Sequence, residues 1–440
     1  MVLFYSPPKK ALSAPKAMTL TVHALDGFGQ GIAHYQGKTV FVRNALPGEQ
    51  VDVRLTEDKK QYAKAKVLKY RTKSEQRIVP VCRHYTICGG CEMQHMSAQM
   101  QHQAKVDAFT SLIQKETGHD IAAIDVKVIN SAPYHYRRRA HLAIMFEKNQ
   151  LVVGFRQLES KQIVDIKTCP VLVEELEQLL VPLKACLSSL KDKKVLGHLE
   201  LIHTDSGTIF VLRHIRKFTE KDTELLIDFA QQHNISLYLH GDELVHLVGS
   251  KIHYYCINQL KLVFSPLDFI QVNENVNLKM IEQAMNWLEL KPQDDVLDLF
   301  CGMGNFTLPI ATICRNVVGV EGVDALVDKA QQNRDLNRQH LAGDSQFFVS
   351  NLEHIAKNPV WFSAEVNKVL LDPARPGANE VMTKIAQYSP THVVYISCNP
   401  ATLVRDSKIL LDAGYQIAKI SILDMFPQTK HIESMLLFIK

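Results

Sequence analysis

Two residues near the C-terminal end set the chemistry this sequence can perform. Cys398 stands in HVVYISCNPATL, after an apolar β-branched run and before a helical pattern from Thr402 to Leu411. A thiol at a strand end, facing a helix N-terminus, is expected to have thiolate character because the helix dipole favours an anion there. Glu433, in HIESMLL, opens the last apolar run, which this kind of sheet places beside the fifth strand. A thiolate with a neighbouring carboxylate suits a carbon that is not itself nucleophilic, such as C5 of uracil. Attack on C6 makes C5 carbanion-like, C5 takes up an electrophile, and a base then removes the C5 proton.

The electrophile is implied by a second motif. Asp298-Leu-Phe300-Cys-Gly302-Met-Gly304-Asn305-Phe lies where the first strand of an alternating strand–helix region meets its first helix. Open α/β sheets bind ligands at that crevice. The two glycines permit close backbone approach. A nicotinamide fingerprint needs a third glycine at 307, where Thr307 stands. The acidic Asp298 suits an ammonium-bearing ligand better than a pyrophosphate. Glu321 ends the second strand, placed for ribose hydroxyls. Asn351 follows the third, where an amide can read an adenine edge, and Asp372 ends the fourth. This set fits S-adenosylmethionine. RNA cytosine-C5 enzymes carry a cysteine in the loop after that aspartate, where LLDPARPG has Arg375. DNA cytosine-C5 enzymes use a Pro-Cys dipeptide, absent here. The acceptor read from these residues is uracil.

Three domains position these groups. Residues 17–75 alternate short apolar runs with turns at Asp26-Gly27 and Pro47-Gly48, the pattern of a small five-stranded, OB-like β-barrel. Gly27, Gly29 and Gly31 precede no helix, which excludes a phosphate loop. Residues 1–80 contain 14 Lys and Arg against 6 Asp and Glu, while the remaining 360 contain 36 against 40. That asymmetry, densest from Lys59 to Arg77, marks a module for a polyanion. Residues 80–268 form a mixed α+β central domain, with a helix near 93–118, capped by Ser97 and stopped by Gly118, which is expected to pack on the catalytic domain. Residues 269–440 read as a doubly wound, Rossmann-like α/β domain closed by a hairpin. Residues 1–16 read as a loose tail. No apolar stretch reaches the length of a membrane span and no h-region follows the N-terminal lysines, so the expected location is the cytoplasm.

Nine cysteines in such a chain suggest metal or catalysis rather than disulfides. Cys82-x5-Cys88-x2-Cys91 with a distant Cys169 in KTCPV supplies four thiolates, which hold either zinc or a [4Fe–4S] cluster. The 3 + 1 spacing favours the cluster, and zinc stays open. Cys186, Cys256, Cys301 and Cys314 show no such pattern. Arg137, Arg138 and Arg139, within YHYRRRAHL, suit stacking and phosphate contact with RNA.

Taken together, GFGQGIA, FVRNALPGE, CRHYTICGGCEMQH, YHYRRRAHL, FIQVN, LDLFCGMGNFTLPIA, VEGV, LLDPARPGA, YISCNPATLVRD and HIESMLLF resemble one family. It is the bacterial TRAM-domain, iron–sulfur-containing 23S rRNA uracil-C5 methyltransferases. The resemblance implies Cys398 as nucleophile and Glu433 as base. It implies S-adenosylmethionine contacts from Gln271, Phe300, Asn305, Glu321, Asn351 and Asp372, and a [4Fe–4S] cluster on Cys82, Cys88, Cys91 and Cys169. Phe269 falls where the family uses an aromatic to stabilise refolded RNA. Since barrel and cysteine segment are both present, the implied partner is 23S rRNA, at uracil 1939, met by a monomer with no membrane or DNA role and with the target base flipped out. Methylation of a tRNA or of another rRNA site is the alternative within this chemistry; an RNA-binding iron–sulfur protein without activity is the alternative outside it.

Overall fold

The computed structural model describes residues 17–147, 149–355, 359–362 and 365–440. The tail expected at 1–16 lies outside them. The chain divides into two compact units, residues 1–79 with 92–104, and residues 80–91 with 105–440.

The first unit is a closed sheet of β1 (Met18–Thr21), β2 (Ala24–Leu25), β3 (Gly31–Tyr35), β4 (Lys38–Arg43), β5 (Gln50–Asp58) and β6 (Tyr62–Tyr70), in the order β1-β5-β6-β4-β3-β2. The five runs become six strands because the first breaks at Val22 and His23. Its halves pair with β5 and β3, which closes the barrel. Alternate residues, Val40, Val42, Val51 and Val53 among them, fill the interior. The glycines serve packing. A Cβ at Gly31 would lie 2.8 Å from the Ala45 carbonyl oxygen. The basic run is partly neutralised, by Lys64–Glu57 (3.1 Å) and Arg71–Asp52 (2.8 Å). Arg77 is a strut rather than a surface cation: it pairs with the fully buried Glu49 and lies 4.4 Å over the Tyr70 ring. Among the described residues, Lys66, Lys69 and Lys73 make no ion pair.

Helix α1 (Ala98–Thr117) starts where the Ser97 hydroxyl accepts the Met100 N–H and ends at Gly118, whose φ of 71° only glycine adopts without cost. Its first turns belong to the barrel unit, and from Lys105 onward it belongs to the second. Phe109 and Ile113 enter the catalytic core there. Strand β7 (Val126–Ile129) follows.

The central sheet contains β8 (Arg139–Glu147), β9 (Gln150–Arg156), β10 (Ile163–Asp165), β11 (Leu196–Thr204), β12 (Gly207–His214), β13 (Ile235–His240) and β14 (Leu244–Val248), in the order β10-β9-β8-β11-β12-β13-β14. Helices α2 (Glu174–Glu177), α3 (Leu180–Ser189) and α4 (Glu220–Gln232) contribute to the same apolar core. The hairpin β15 (His253–Ile257) and β16 (Leu260–Phe264) leads into α5 (Glu274–Trp287).

The catalytic sheet runs β19-β18-β17-β20-β21-β23-β22-β7. Its parallel strands are β17 (Asp295–Leu299), β18 (Asn316–Glu321), β19 (Asp344–Val349), β20 (Lys368–Leu371) and β21 (His392–Ser397). Helices α6 (Thr307–Ala311), α7 (Asp324–Leu336), α8 (Asn379–Tyr388) and α9 (Pro400–Asp412) alternate with them. The expected hairpin is β22 (Gln416–Leu423) and β23 (Glu433–Ile439), with β23 antiparallel between β21 and β22. Strand β7 adds a parallel edge strand from almost three hundred residues upstream, which the sequence reading did not assign to this sheet.

Lys105 is fully buried and its ammonium donates to Asp424 at 2.7 Å, just past the end of β22. Removing one partner of a buried pair leaves the other charge uncompensated. Lys105→Met should therefore lower the unfolding free energy by about 3–5 kcal/mol, and the double variant Lys105→Met/Asp424→Asn should recover most of it. Denaturant titration checks both. A single-variant loss under about 1 kcal/mol would show that the pair carries no such weight.

Candidate active site

The crevice lies at the C-terminal ends of β17, β18, β20 and β21. β17 delivers Asp298, fully buried. The Thr307 hydroxyl donates to its Oδ2 at 2.5 Å, while Oδ1 is buried with no hydrogen-bond partner. Thr307, read at first only as a missing glycine, thus orients this carboxylate. Burial, then Asp372 and Glu321, push Asp298 up to about 7. The chain then turns sharply. Phe300 has φ 61°, Gly302 54° and Gly304 98°. No atom lies within 4 Å of where a Gly302 Cβ would sit, so the loop borders open space. An orphaned buried carboxylate oxygen beside an open glycine loop fits a ligand with a cationic amino acid part.

Glu321 ends β18. Its Oε2 accepts from Gly302 N–H (3.1 Å) and its Oε1 from Gly322 (2.8 Å) and Val323 (3.1 Å), so it shapes the loop and retains acceptor capacity for a ribose. Asn351 accepts the Glu353 N–H at 2.8 Å, leaving its amide N–H₂ to donate. Asn305 is tied on both amide atoms to Asn277 and accepts the Tyr255 hydroxyl at 3.0 Å. It braces the wall of the site. The Gln271 carbonyl accepts from Arg138 Nε at 2.9 Å. Asp372, just past β20, is pushed up to about 7 by burial.

Cys398 and Glu433 meet by strand register. Ser397 of β21 pairs with Ser434 of β23, so the next residue on each side, Cys398 and Glu433, are cross-strand neighbours at the sheet end. Asn399 fixes the turn: its Oδ1 caps α9 at Ala401 and its Nδ2 donates to the Arg375 carbonyl. Burial first, then Asp372, push Glu433 up to about 8, while Lys105 acts in the opposite direction. Lys105 was missed in the sequence, although it lies at helical spacing with Phe109 and Ile113 on the buried face of α1. The expected thiolate character of Cys398 is corrected here. Although its side chain is exposed at the mouth of the crevice, partial desolvation raises its pKa, Glu433 and Asp372 raise it further, and Arg375 only partly opposes them. Two nearby carboxylates outweigh one helix end.

The three arginines are largely committed within the protein. Arg138 is buried, stacked 5.0 Å over Tyr255. Arg139 bonds both oxygens of Glu200, at 3.1 and 3.0 Å, and the carbonyls of Asp268 and Pro266. Arg137 donates to the Arg139 carbonyl and stays partly exposed. Phe269 is 70% exposed, on the chain leading into α5.

Among the described residues no disulfide forms, and no three His, Cys, Asp or Glu side chains stand close enough to hold an ion. Cys82, Cys88 and Cys91 are half-buried, and Cys169 is buried; Cys88, Cys91 and Cys169 share one apolar cluster. Burial, then Cys91, Cys82 and Cys88, push Cys169 up to about 12. The cysteine loop is held to β9 by bonds from Gly89 N–H to the Arg156 carbonyl and from Leu158 N–H to the Ile87 carbonyl. The electrostatic action of Cys91, Cys82 and Cys88 on Cys169 puts the four side chains in one neighbourhood, and thiolates there suit either zinc or an iron–sulfur group. Cys186, Cys301 and Cys314 are buried, and Cys256 is half-buried.

Comparison with known proteins agrees with this geometry. The family described as tRNA (Uracil-5-)-methyltransferase matches residues 98–440, and the TRAM domain matches residues 16–68. A 23S rRNA (uracil(1939)-C(5))-methyltransferase of Photorhabdus laumondii is 50% identical over the whole of both chains. That of Yersinia enterocolitica is 48% identical over all of this chain and 99% of its own. Among solved structures, the Pyrococcus abyssi tRNA (uracil-54, C5)-methyltransferase in complex with S-adenosyl-L-homocysteine has a TM-score of 0.73 at 21% identity. It covers 96% of this chain and all of its own, and so shares the fold. The chain belongs to the S-adenosylmethionine-dependent RNA uracil-C5 methyltransferase family, in the branch that carries an N-terminal TRAM domain.

Proposed function

We propose that this chain methylates C5 of a uridine in 23S rRNA, at the position equivalent to 1939, with Cys398 as nucleophile and Glu433 as base. The single observation that carries the reading is the pairing of Ser397 with Ser434, which makes Cys398 and Glu433 neighbours above the Asp298 crevice. The target named for full-length relatives, 50% and 48% identical, supports 23S rRNA over tRNA.

When bound, S-adenosylmethionine supplies an electrophilic methyl group. Asp298 would hold its ammonium end with the unpaired Oδ1, Glu321 its ribose and Asn351 its adenine. The family further implies Gln271, Phe300, Asn305 and Asp372 in the lining. Cys398 Sγ, once deprotonated, attacks C6 of the flipped uracil and the C5–C6 π electrons move onto C5 and its carbonyl. After C5 is methylated, Glu433 removes the C5 proton. The C–H electrons re-form the double bond and expel the Cys398 thiolate. The Cys82, Cys88, Cys91 and Cys169 thiols are proposed to hold a [4Fe–4S] cluster that braces the central domain. The exposed Phe269 and the partly exposed Arg137 are proposed RNA contacts.

Methyl-labelled cofactor with unmodified 23S rRNA should give one 5-methyluridine, with tRNA unlabelled. Cys398→Ala should abolish both product and covalent adduct, while Glu433→Gln should leave a methylated adduct that migrates with the protein on denaturing gels. Label in tRNA alone would overturn the target, and no adduct in Glu433→Gln would overturn the assigned base.

A base works only when ionised, and Glu433 sits near 8. Decay of the adduct should therefore speed up roughly tenfold per pH unit below about 8 and level off above it. Stopped-flow decay of a preformed adduct checks this; a rate flat from pH 6 to 8 would exclude Glu433.

Anaerobically purified protein should be brown, with absorbance near ~400 nm. Cys88→Ser should remove the colour and lower the thermal midpoint. A colourless, zinc-containing parent would replace the cluster by zinc.

A further inference from the structure

The central sheet carries a second recess, outside the methylation crevice. Residues such as Leu142, Leu199 and Leu212 point into the helix-lined core. On the opposite face, where β8, β9 and β11 run side by side, the residues shrink to Ala143, Gly154 and Gly197, and a cavity of about 450 Å³ opens. The glycines themselves answer close backbone approach: a Cβ at Gly154 would overlap the Val164 carbonyl oxygen, and one at Gly197 would lie 3.2 Å from that of Arg213.

The rim is aromatic and cationic. His141 and His198 stand with ring centroids 4.1 Å apart. Arg156 and Lys161 line the same cavity and are exposed. Arg213, on β12 opposite His240 of β13, adds a further cation beside it. Burial first, then His141 and Arg213, lower the proton affinity of His198, and its ring is inclined 43° to that of His141.

No carboxylate lines this cavity; the nearby Glu200, cross-strand from His141, is held by Arg139 at 3.0 Å. Among the described residues, Arg156, Lys161 and Arg213 make no ion pair. Elsewhere in the domain cations find acids: Arg216 with Asp192 at 3.1 Å, and Lys184 with Asp165. Gathering unpaired cations around a hollow opposes folding through self-repulsion. A polyanion with flat π faces relieves that repulsion and uses the imidazoles as a platform. Unpaired RNA has both properties: phosphates bind cations, and bases stack on histidine rings and guanidinium planes.

We propose that this recess is a second RNA subsite. A phosphate of the substrate RNA lies between Arg156 and Lys161, and an unpaired base beside it stacks on the His141–His198 pair, away from the uridine being methylated. The assignment rests on the RNA methyltransferase reading above.

The test uses the full chain and 23S rRNA. In Arg156→Ala/Lys161→Ala, RNA affinity should fall about tenfold at ~0.15 M salt, and the slope of log affinity against log salt should become shallower by roughly 1–2. Methylation at saturating RNA should be unchanged. Separately, diethyl pyrocarbonate should modify His141 and His198 in the free parent and be blocked when RNA is bound. Parent-like affinity and slope in the double variant would overturn the phosphate site, and unprotected histidines would overturn the stack. Should the variant fail to fold, the footprint on the parent decides alone. A parent that methylates RNA while the variant binds normally defeats the subsite only, whereas a parent that methylates no RNA defeats the earlier reading.

Discussion

The crevice concentrates negative charge where water is scarce, and most of its architecture answers that constraint. Asp298, Asp372 and Glu433 sit at or just beyond the ends of neighbouring strands, and burial raises all three well above ordinary carboxylates. Carboxylates this close cannot all ionise cheaply in a low dielectric. The protein leaves one oxygen of Asp298 without a partner and lets the Thr307 hydroxyl satisfy the other. A ligand bearing both an ammonium and a sulfonium centre supplies the positive charge that the free site lacks. Under the proposed function, that desolvation would favour a cationic methyl donor over a neutral or anionic nucleotide.

Lys105 is a buried cation that the fold brings near this cluster. It pairs with Asp424 at one strand end and moderates Glu433 at the next. The register explains why it is needed. Strand β23 enters antiparallel between β21 and β22, which places a glutamate beside the nucleophile without a long loop. That insertion pushes β22 outward, and β7 covers its free edge. Helix α1 and β7 both precede the central sheet in the chain, yet both complete the catalytic one. The catalytic half is therefore built from two separated stretches of sequence.

What could be read in advance follows from range. Local signals were legible: the Gly302 loop, the apolar runs of the parallel sheet, the cap at Ser97 and the stop at Gly118. Cys398 and Glu433 were legible because strand ends in an open α/β sheet converge on one crevice. Three features were not legible, each set by distant partners. Arg138 and Arg139 looked like RNA ligands, but Tyr255 and Glu200 absorb them. Val22 and His23 sit inside an ordinary strand pattern, and only barrel closure breaks it. The thiol of Cys398 was assigned from its own helix, whereas its state depends on carboxylates from two other strands.

That reversal constrains the proposed reaction. A thiol held above its ordinary pKa must lose a proton before it can attack C6, and a second proton must later leave C5. One carboxylate cannot accept both, because the group that has taken the thiol proton is no longer a base when C5 needs one. The crevice contains two carboxylates whose proton affinities burial lifts towards the thiol range, Asp372 to about 7 and Glu433 to about 8. A carboxylate raised in this way takes up a thiol proton at a smaller uphill cost than an ordinary carboxylate would. The burial that raises these carboxylates therefore narrows the gap between the nucleophile and its acceptors.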